Sequence, residues 1–199
     1  MDKKYENKII ASGVVAEIKE KRGYHQINFV TKQMGSSWNV NLKMVYYKKL
    51  PDWVKRGSKA DIEGYLETVP FVDESGKKYT KQRFVVTEFR KKETQTMDAF
   101  GIEGMYTAPF EFKALLSGKI THIKEEDKWI RLTILTSTDK KNIAANLSMR
   151  KPKNGFKNVN EGDEAYCVCT ALSATKTAKN GATVYYEDLL ISDIGVKTA

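Results

Sequence analysis

From residue 12 onward the chain reads as short runs in which apolar and polar side chains alternate with a period of two, broken by turns, with almost no helical periodicity. In the first run Val14, Ala16 and Ile18 alternate with polar neighbours, and Glu20-Lys21-Arg22-Gly23 turns the chain into a second run, Tyr24 to Thr31. Its parity assigns His25, Ile27 and Phe29 to the core and points Tyr24, Gln26 and Asn28 outward. A third run, Trp38 to Val45, puts Val40, Leu42 and Met44 inside, Trp38 on the same inward parity, and Asn39, Asn41 and Lys43 outside. A non-strand connection from Tyr46 to Gly57 follows, in which Pro51 limits any helix to a short turn. From Gly57 a fourth strand places Ala60, Ile62, Gly64 and Leu66 on one face and the carboxylates Asp61, Glu63 and Glu67 on the other. A long hairpin with its tip at Asp73 to Lys78 leads to a fifth strand, Gln82 to Phe89.

The pattern then recurs. At an offset of 105 residues, Ser12-Gly13 falls on Ser117-Gly118, Ile18-Lys19-Glu20 on Ile123-Lys124-Glu125, Asn41-Leu42-x-Met44 on Asn146-Leu147-x-Met149, and Gly57, Ala60 and Gly76 on Gly162, Ala165 and Gly181. Residues 12–89 against 117–194 give 14 identities in 78 gapless positions. In the second copy Ala145, Leu147 and Met149 face inward, Trp129 and Arg131 face outward, and the fourth strand's inner face, Ala165, Cys167, Cys169 and Ala171, is small, as a tapering barrel interior requires. Two copies of one domain follow, 1–93 and 113–199, joined by a partly packed linker over 94–112.

Five strands in about 80 residues, with a connection after the third and a long hairpin between the fourth and fifth, resemble the oligonucleotide/oligosaccharide-binding (OB) barrel. The resemblance implies an all-β chain of two tandem five-stranded OB-fold barrels. Because one architecture carries nucleic acids, sugars and proteins, the function has to be read from the site.

Composition narrows it. With 41% hydrophobic residues and 21 aromatics the chain can bury a core, and the longest apolar run, the five residues Ala165 to Cys169, is far short of the roughly 20 of a membrane helix. The first residues carry charge but no apolar signal segment, so cytoplasmic work is expected. Two cysteines two apart on one strand read as small buried hydrophobes, and with two distant histidines they do not compose a metal site. No nucleotidyl-transfer motif or phosphate-binding glycine loop is present, which points away from an enzyme and from any cofactor. The net charge of +9 is lopsided: residues 1–95 hold 20 Lys+Arg against 12 Asp+Glu, while 96–199 hold 14 against 13. An anionic partner is therefore expected mostly on the first copy.

Binding single-stranded nucleic acid takes a basic groove and aromatic faces for the bases. Tyr24, directly after Lys21 and Arg22, is outward and is matched by Trp129; it either stacks on a base or covers the barrel mouth. Arg131, also outward, pairs with a phosphate or stacks on a base; Lys43 and Asn41, with Asn146 and Arg150 in the second copy, extend a polar platform, with turn or edge hydrogen bonding the alternative for Asn41 and Asn146. In the hairpin, Phe71 and Tyr79 flank Lys77 and Lys78, with Lys81 and Arg83 on the parity of Tyr79; this is either a finger over the strand or a solvated hairpin. The second hairpin offers Lys176, Lys179, Tyr185 and Tyr186, a weaker charge with comparable aromatics. Trp38 stacks or packs, Trp53 plugs the barrel bottom, and Lys48 and Lys49 line the groove or solvate the connection. The carboxylates of the fourth strand mark the back of the barrel.

The combined pattern resembles single-stranded DNA-binding proteins, and two barrels in a short Lys- and Asn-rich chain look most like those encoded by bacteriophages. The resemblance implies a monomer that coats and protects single-stranded DNA in replication or recombination, largely regardless of sequence, in the cytoplasm of an infected host cell. Replication or recombination proteins would be further partners. The chain departs from many members in ending Ile194-Gly195-Val196-Lys197-Thr198-Ala199 instead of in an acidic tail, which puts tail-mediated recruitment in doubt. Two other readings share the barrels: a protein-interaction or virion structural module, whose binding salt would not affect, and an RNA-binding or replication-initiation factor.

Overall fold

The computed structural model describes residues 5–33, 35, 38–72, 75–76, 78–91, 96–99, 102–107, 111–138, 141–152, 159–177 and 183–197, with the side chains of Tyr79, 96–107, 174–177 and 183–186 outside the description. The described residues form strands and no helix: β1 (Asn7–Lys21), β2 (Tyr24–Lys32), β3 (Asn39–Tyr46), β4 (Lys59–Val72), β5 (Lys78–Lys91), β6 (Thr96–Ala99), β7 (Ile102–Thr107), β8 (Phe112–Glu125), β9 (Trp129–Ser137), β10 (Asn142–Arg150), β11 (Glu164–Thr177) and β12 (Thr183–Lys197). Among them, then, no helix is long and apolar enough to cross a membrane.

The strands pair in the order β4-β5-β3-β2-β1, and β1 closes back onto β4; β3 and β5 run parallel and every other pair is antiparallel. β11, β12, β10, β9 and β8 repeat that order and closure, with β10 and β12 parallel. Each half is a closed five-stranded barrel with OB connectivity. Closure removes most of the free edge that an open sheet would expose. The inward residues that alternation predicts are buried: Ile27, Phe29, Val40, Leu42 and Met44 in barrel 1, and Ala145, Leu147, Ala165, Cys167, Cys169 and Ala171 in barrel 2. Burial pushes the Cys167 thiol up to about 12, so it stays protonated as a small core side chain.

The repeat is finer than the sequence identities. β1 bulges between Val15 and Glu17, and β8 bulges between Ile120 and His122. The β4–β5 ladder slips at Glu63/Gly64, the β11–β12 ladder at Val168/Cys169. Each pair lies 105 residues apart, so the devices that bend the strands into barrels are copied with the core. At Gly13 an added Cβ would lie 2.2 Å from the Val30 carbonyl, and at Gly118 2.4 Å from that of Leu135, so only glycine lets strands one and two approach this closely in either barrel.

Several expectations need correction. The bulge in β1 puts Val15 in the core at 0% exposure and leaves Val14 and Ala16 half-buried, because the extra residue inverts the parity. The gapless alignment fails in strand three: Thr31 pairs with Val40 but Thr136 with Ile143, so residues of β10 match those of β3 at an offset of 103. The connection 33–38 is two residues longer than 138–141, and Trp38 sits in it, 75% exposed instead of inward. Asp61 is 1% exposed, its carboxylate accepting a hydrogen bond from the Ser12 hydroxyl, so it belongs to the interior. The segment between the barrels carries a hairpin, β6–β7, that no alternation in the sequence announced.

The barrels share one sheet. β1 and β8 pair antiparallel so that Ile9 lies opposite Ala114, its own counterpart 105 residues on. The Ser12 N–H donates to Glu111 O at 3.2 Å and the Ser117 N–H to Glu6 O at 2.9 Å, again counterparts. A local pseudo-twofold therefore passes through the centre of this pairing. The buried cluster is continuous across it, with Phe84 of β5 meeting Phe112 of β8 edge to face at 5.4 Å.

Candidate nucleic-acid interface

On the outside of barrel 1, the ladder β1–β2–β3 ends with Lys21 opposite Tyr24, and the ring of Tyr24 meets that of Tyr47 edge to face at 6.1 Å. Tyr47, the residue after β3, is 46% exposed. Its hydroxyl donates to Glu67 at 2.7 Å, and Arg83 donates to both that hydroxyl and the same carboxylate at 2.8 Å. Burial and the bond to Glu67 push the Tyr47 phenol up to about 12, so it remains a donor. Among the described residues, the Arg83 Nε is buried with no hydrogen-bond partner. Glu67 pairs with Arg83 and Val69 with Lys81 across β4–β5, and alternation puts both pairs and Phe71 on one face. From Tyr24 this face runs through Tyr47 and Arg83 to the exposed Lys81 and Phe71, a strip of aromatic and cationic residues whose hairpin part, from Glu67 to Phe71, is about 13 Å long. The strip is assembled from three segments far apart in sequence.

The other face of the hairpin touches barrel 2. Thr68 donates to Ala144 O at 3.4 Å, the Gln82 side-chain amide donates to Asn146 O at 3.2 Å, and the Asn146 N–H donates to Gln82 Oε1. Reciprocally, the hairpin of barrel 2 covers β3: the Asn41 N–H donates to Ser173 Oγ at 3.1 Å and the Lys43 N–H to the Glu187 carboxylate. β5 pairs with β3 only from Met44 to Tyr46, so the N–H groups of Asn41 and Lys43 lie on an edge that this hairpin satisfies. Burial pushes the Glu187 carboxyl up to about 7, against the opposing pull of the Lys43 N–H and of the Lys43 and Lys81 charges. The side chains of Asn41 and Lys43 remain exposed, but the platform they were expected to form is shared with the other barrel.

Barrel 2 is balanced where barrel 1 is basic. Trp129 is half-buried and opposite Arg150, the equivalents of Tyr24 and Tyr47. Arg131 is engaged by Glu126 at 3.5 Å, Asp188 at 3.8 Å and Ser148 at 3.2 Å. Asp188 occupies the place of Arg83, which reverses the charge of the strip there.

The other expected residues are scattered more widely. Lys21 and Arg22 are exposed on the β1–β2 turn beside Tyr24, and Lys48 and Lys49 are exposed just past Tyr47, with Lys48 reaching the Thr87 carbonyl at 3.4 Å. Lys78 is exposed near the hairpin tip. Trp38 lies at the opposite end of β3 from Tyr47, roughly 30 Å away along the strand, and so is not part of the strip. Trp53 packs half-buried against the core. Lys77 and the side chains of Tyr79 and Tyr185 lie outside the described residues. Sequence reasoning missed Tyr47; its only signal was the doublet Tyr46-Tyr47, in which an inward strand parity ends and the second ring must face out.

No protein-family model and no curated protein sequence matches the chain. Among solved structures, it is similar to a deletion variant of the single-stranded DNA binding protein from Thermus aquaticus, with a TM-score of 0.65 at 10% identity over 100% of this chain and 97% of that one. The wild-type Thermus aquaticus protein gives a TM-score of 0.63 at 11% identity, covering 98% and 94%. The similarity spans both barrels and at this identity it concerns the fold.

Proposed function

We propose that this chain binds single-stranded DNA along the strip of barrel 1, largely without regard to sequence. The observation that carries the reading is the continuous run Tyr24–Tyr47–Arg83–Lys81–Phe71 beside Lys21 and Arg22, which pairs ring faces for unpaired bases with the exposed cations Lys21, Arg22 and Lys81 for the backbone, Arg83 being held against Tyr47 and Glu67. The similarity to single-stranded DNA binding proteins supports it at the level of fold. Barrel 2 lengthens the site through Trp129 and Arg150 and contributes less charge. The chain acts as a monomer, its two barrels supplying the paired sites, and it coats and protects DNA strands exposed in replication or recombination, in the manner of a bacteriophage protein. A labelled oligothymidylate titrated at several salt concentrations tests the reading: tight binding that weakens with salt by about 0.7 log units per log unit for each phosphate neutralised, and that exceeds duplex binding, is expected. Absence of binding at low salt overturns it.

A further inference from the structure

Beside the strip, between the two barrels, lies a cavity of about 730 Å³. Tyr47, Tyr65 and Glu67 of barrel 1 line one side, Lys8 lies at the start of β1, and the β9–β10 turn of barrel 2 brings Thr138 and Lys141. Tyr47 and Glu67 belong to the strip as well, so cavity and strip are contiguous.

The barrel does not require these walls. Under the pseudo-twofold the places of Tyr47, Tyr65 and Glu67 are taken in barrel 2 by Arg150, Thr170 and Leu172, on strands with the same register and the same bulge. The same fold is built there without either ring. Lys141 is exposed; its ammonium reaches the Thr68 carbonyl at a long 3.4 Å and, among the described residues, forms no ion pair. Lys8, by contrast, is held by Glu63 at 3.5 Å. Two phenol rings, the carboxylates of Glu6 and Glu67 as acceptors and, beside the paired Lys8, the ammonium of Lys141 that has no ion pair among the described residues suit a planar guest with a hydrogen-bonding edge and an attached anion. The volume is within the range of small-ligand sites.

We propose that this cavity is a nucleotide subsite of the bound strand: one base leaves the row on the strip and enters between Tyr47 and Tyr65, while its phosphate is taken by Lys141 of the other barrel. The inference rests on the single-strand reading above and deepens it. A paired base would first have to be extruded from the duplex, so the subsite adds to discrimination against duplex. It also gives the fixed placement of the barrels a role, since barrel 2 completes a site on barrel 1.

The test uses the full chain and an oligothymidylate carrying 5-iodouracil, photo-crosslinked at saturation, with adducts located by mass spectrometry. An adduct on Tyr65 is expected, together with a three- to tenfold loss of affinity in Lys141→Ala and a salt slope shallower by about 0.7. Tyr65→Phe should keep the affinity and Tyr65→Ala lose it; Lys141→Ala, on an exposed turn, keeps the test decisive should Tyr65→Ala fail to fold. Wild-type affinity and slope in Lys141→Ala with no adduct on Tyr65 would overturn the subsite while leaving single-strand binding intact. Failure of the wild-type chain to bind the oligonucleotide would remove both.

Discussion

At the scale of single residues, Tyr47 holds the strip together. Its ring touches Tyr24 and its hydroxyl joins Arg83 and Glu67, so substitution disturbs both stacking and the orientation of the cation. Tyr24→Ala and Tyr47→Ala should each weaken single-strand binding by about 1–3 kcal/mol. The double variant should lose less than the sum, because each ring supports the other; a double-mutant cycle by anisotropy reads this. Glu187 makes a different prediction. Its folded pKa of about 7 lies above its ordinary 4.5, so the fold disfavours the ionised form. That penalty is absent below about pH 4.5, grows as the pH rises, and is complete once pH passes 7. Barrel 1 has Gln82 at the equivalent place, accepting the Asn146 N–H without a charge. Glu187→Gln should therefore stabilise the chain by on the order of 1–3 kcal/mol at pH 8 and hardly at all at pH 4.5, as thermal melts at the two pH values will show. A pH-independent gain would contradict the burial of the carboxylate.

At the scale of elements, strand order and parity were legible because a half-buried strand writes its core face every second residue. Phe29, Leu42 and Met44 were placed correctly on that ground alone. Bulges were not legible, since one extra residue inverts parity without changing composition; Val15 displaced Val14 in this way. The two-residue difference between the β2–β3 and β9–β10 connections hid behind the chance matches Asn41/Asn146 and Met44/Met149, and it carried Trp38 outward. The crossing of each hairpin onto the other barrel left no trace, because its hydrogen bonds join backbone groups of one half to side chains of the other. These elements have sharp tolerances. Gly118→Ala would drive a Cβ into the Leu135 carbonyl at 2.4 Å, and a loss of several kcal/mol, beyond ordinary overpacking of about 1–3, is expected in chemical denaturation. An unchanged midpoint would mean that β8 and β9 can separate without cost.

At the scale of the whole molecule, the β1–β8 ladder and the core continuous through both barrels make the chain one folding unit. Calorimetry should show a single transition with equal calorimetric and van't Hoff enthalpies; two resolved transitions would mean the shared ladder contributes little. The excess of positive charge in the first half was readable from composition, but its use was not. Arg131 looked like a phosphate ligand and is engaged by Glu126 and Asp188, whereas Lys81 faces outward beside exposed Phe71. The central claim, that barrel 1 captures the strand, is tested most directly by comparing two charge-reversal variants in the same salt titration. One carries Lys21→Glu, Lys78→Glu and Lys81→Glu; the other carries Lys128→Glu, Arg150→Glu and Lys151→Glu, at exposed residues flanking the Trp129–Arg150 pair of barrel 2, where the Lys151 N–H donates to Lys128 O at 3.0 Å. If barrel 1 captures the strand, the first variant loses more than tenfold in affinity and about two units of salt slope, with a smaller loss in the second. Equal losses, or the larger loss in the second, would contradict it.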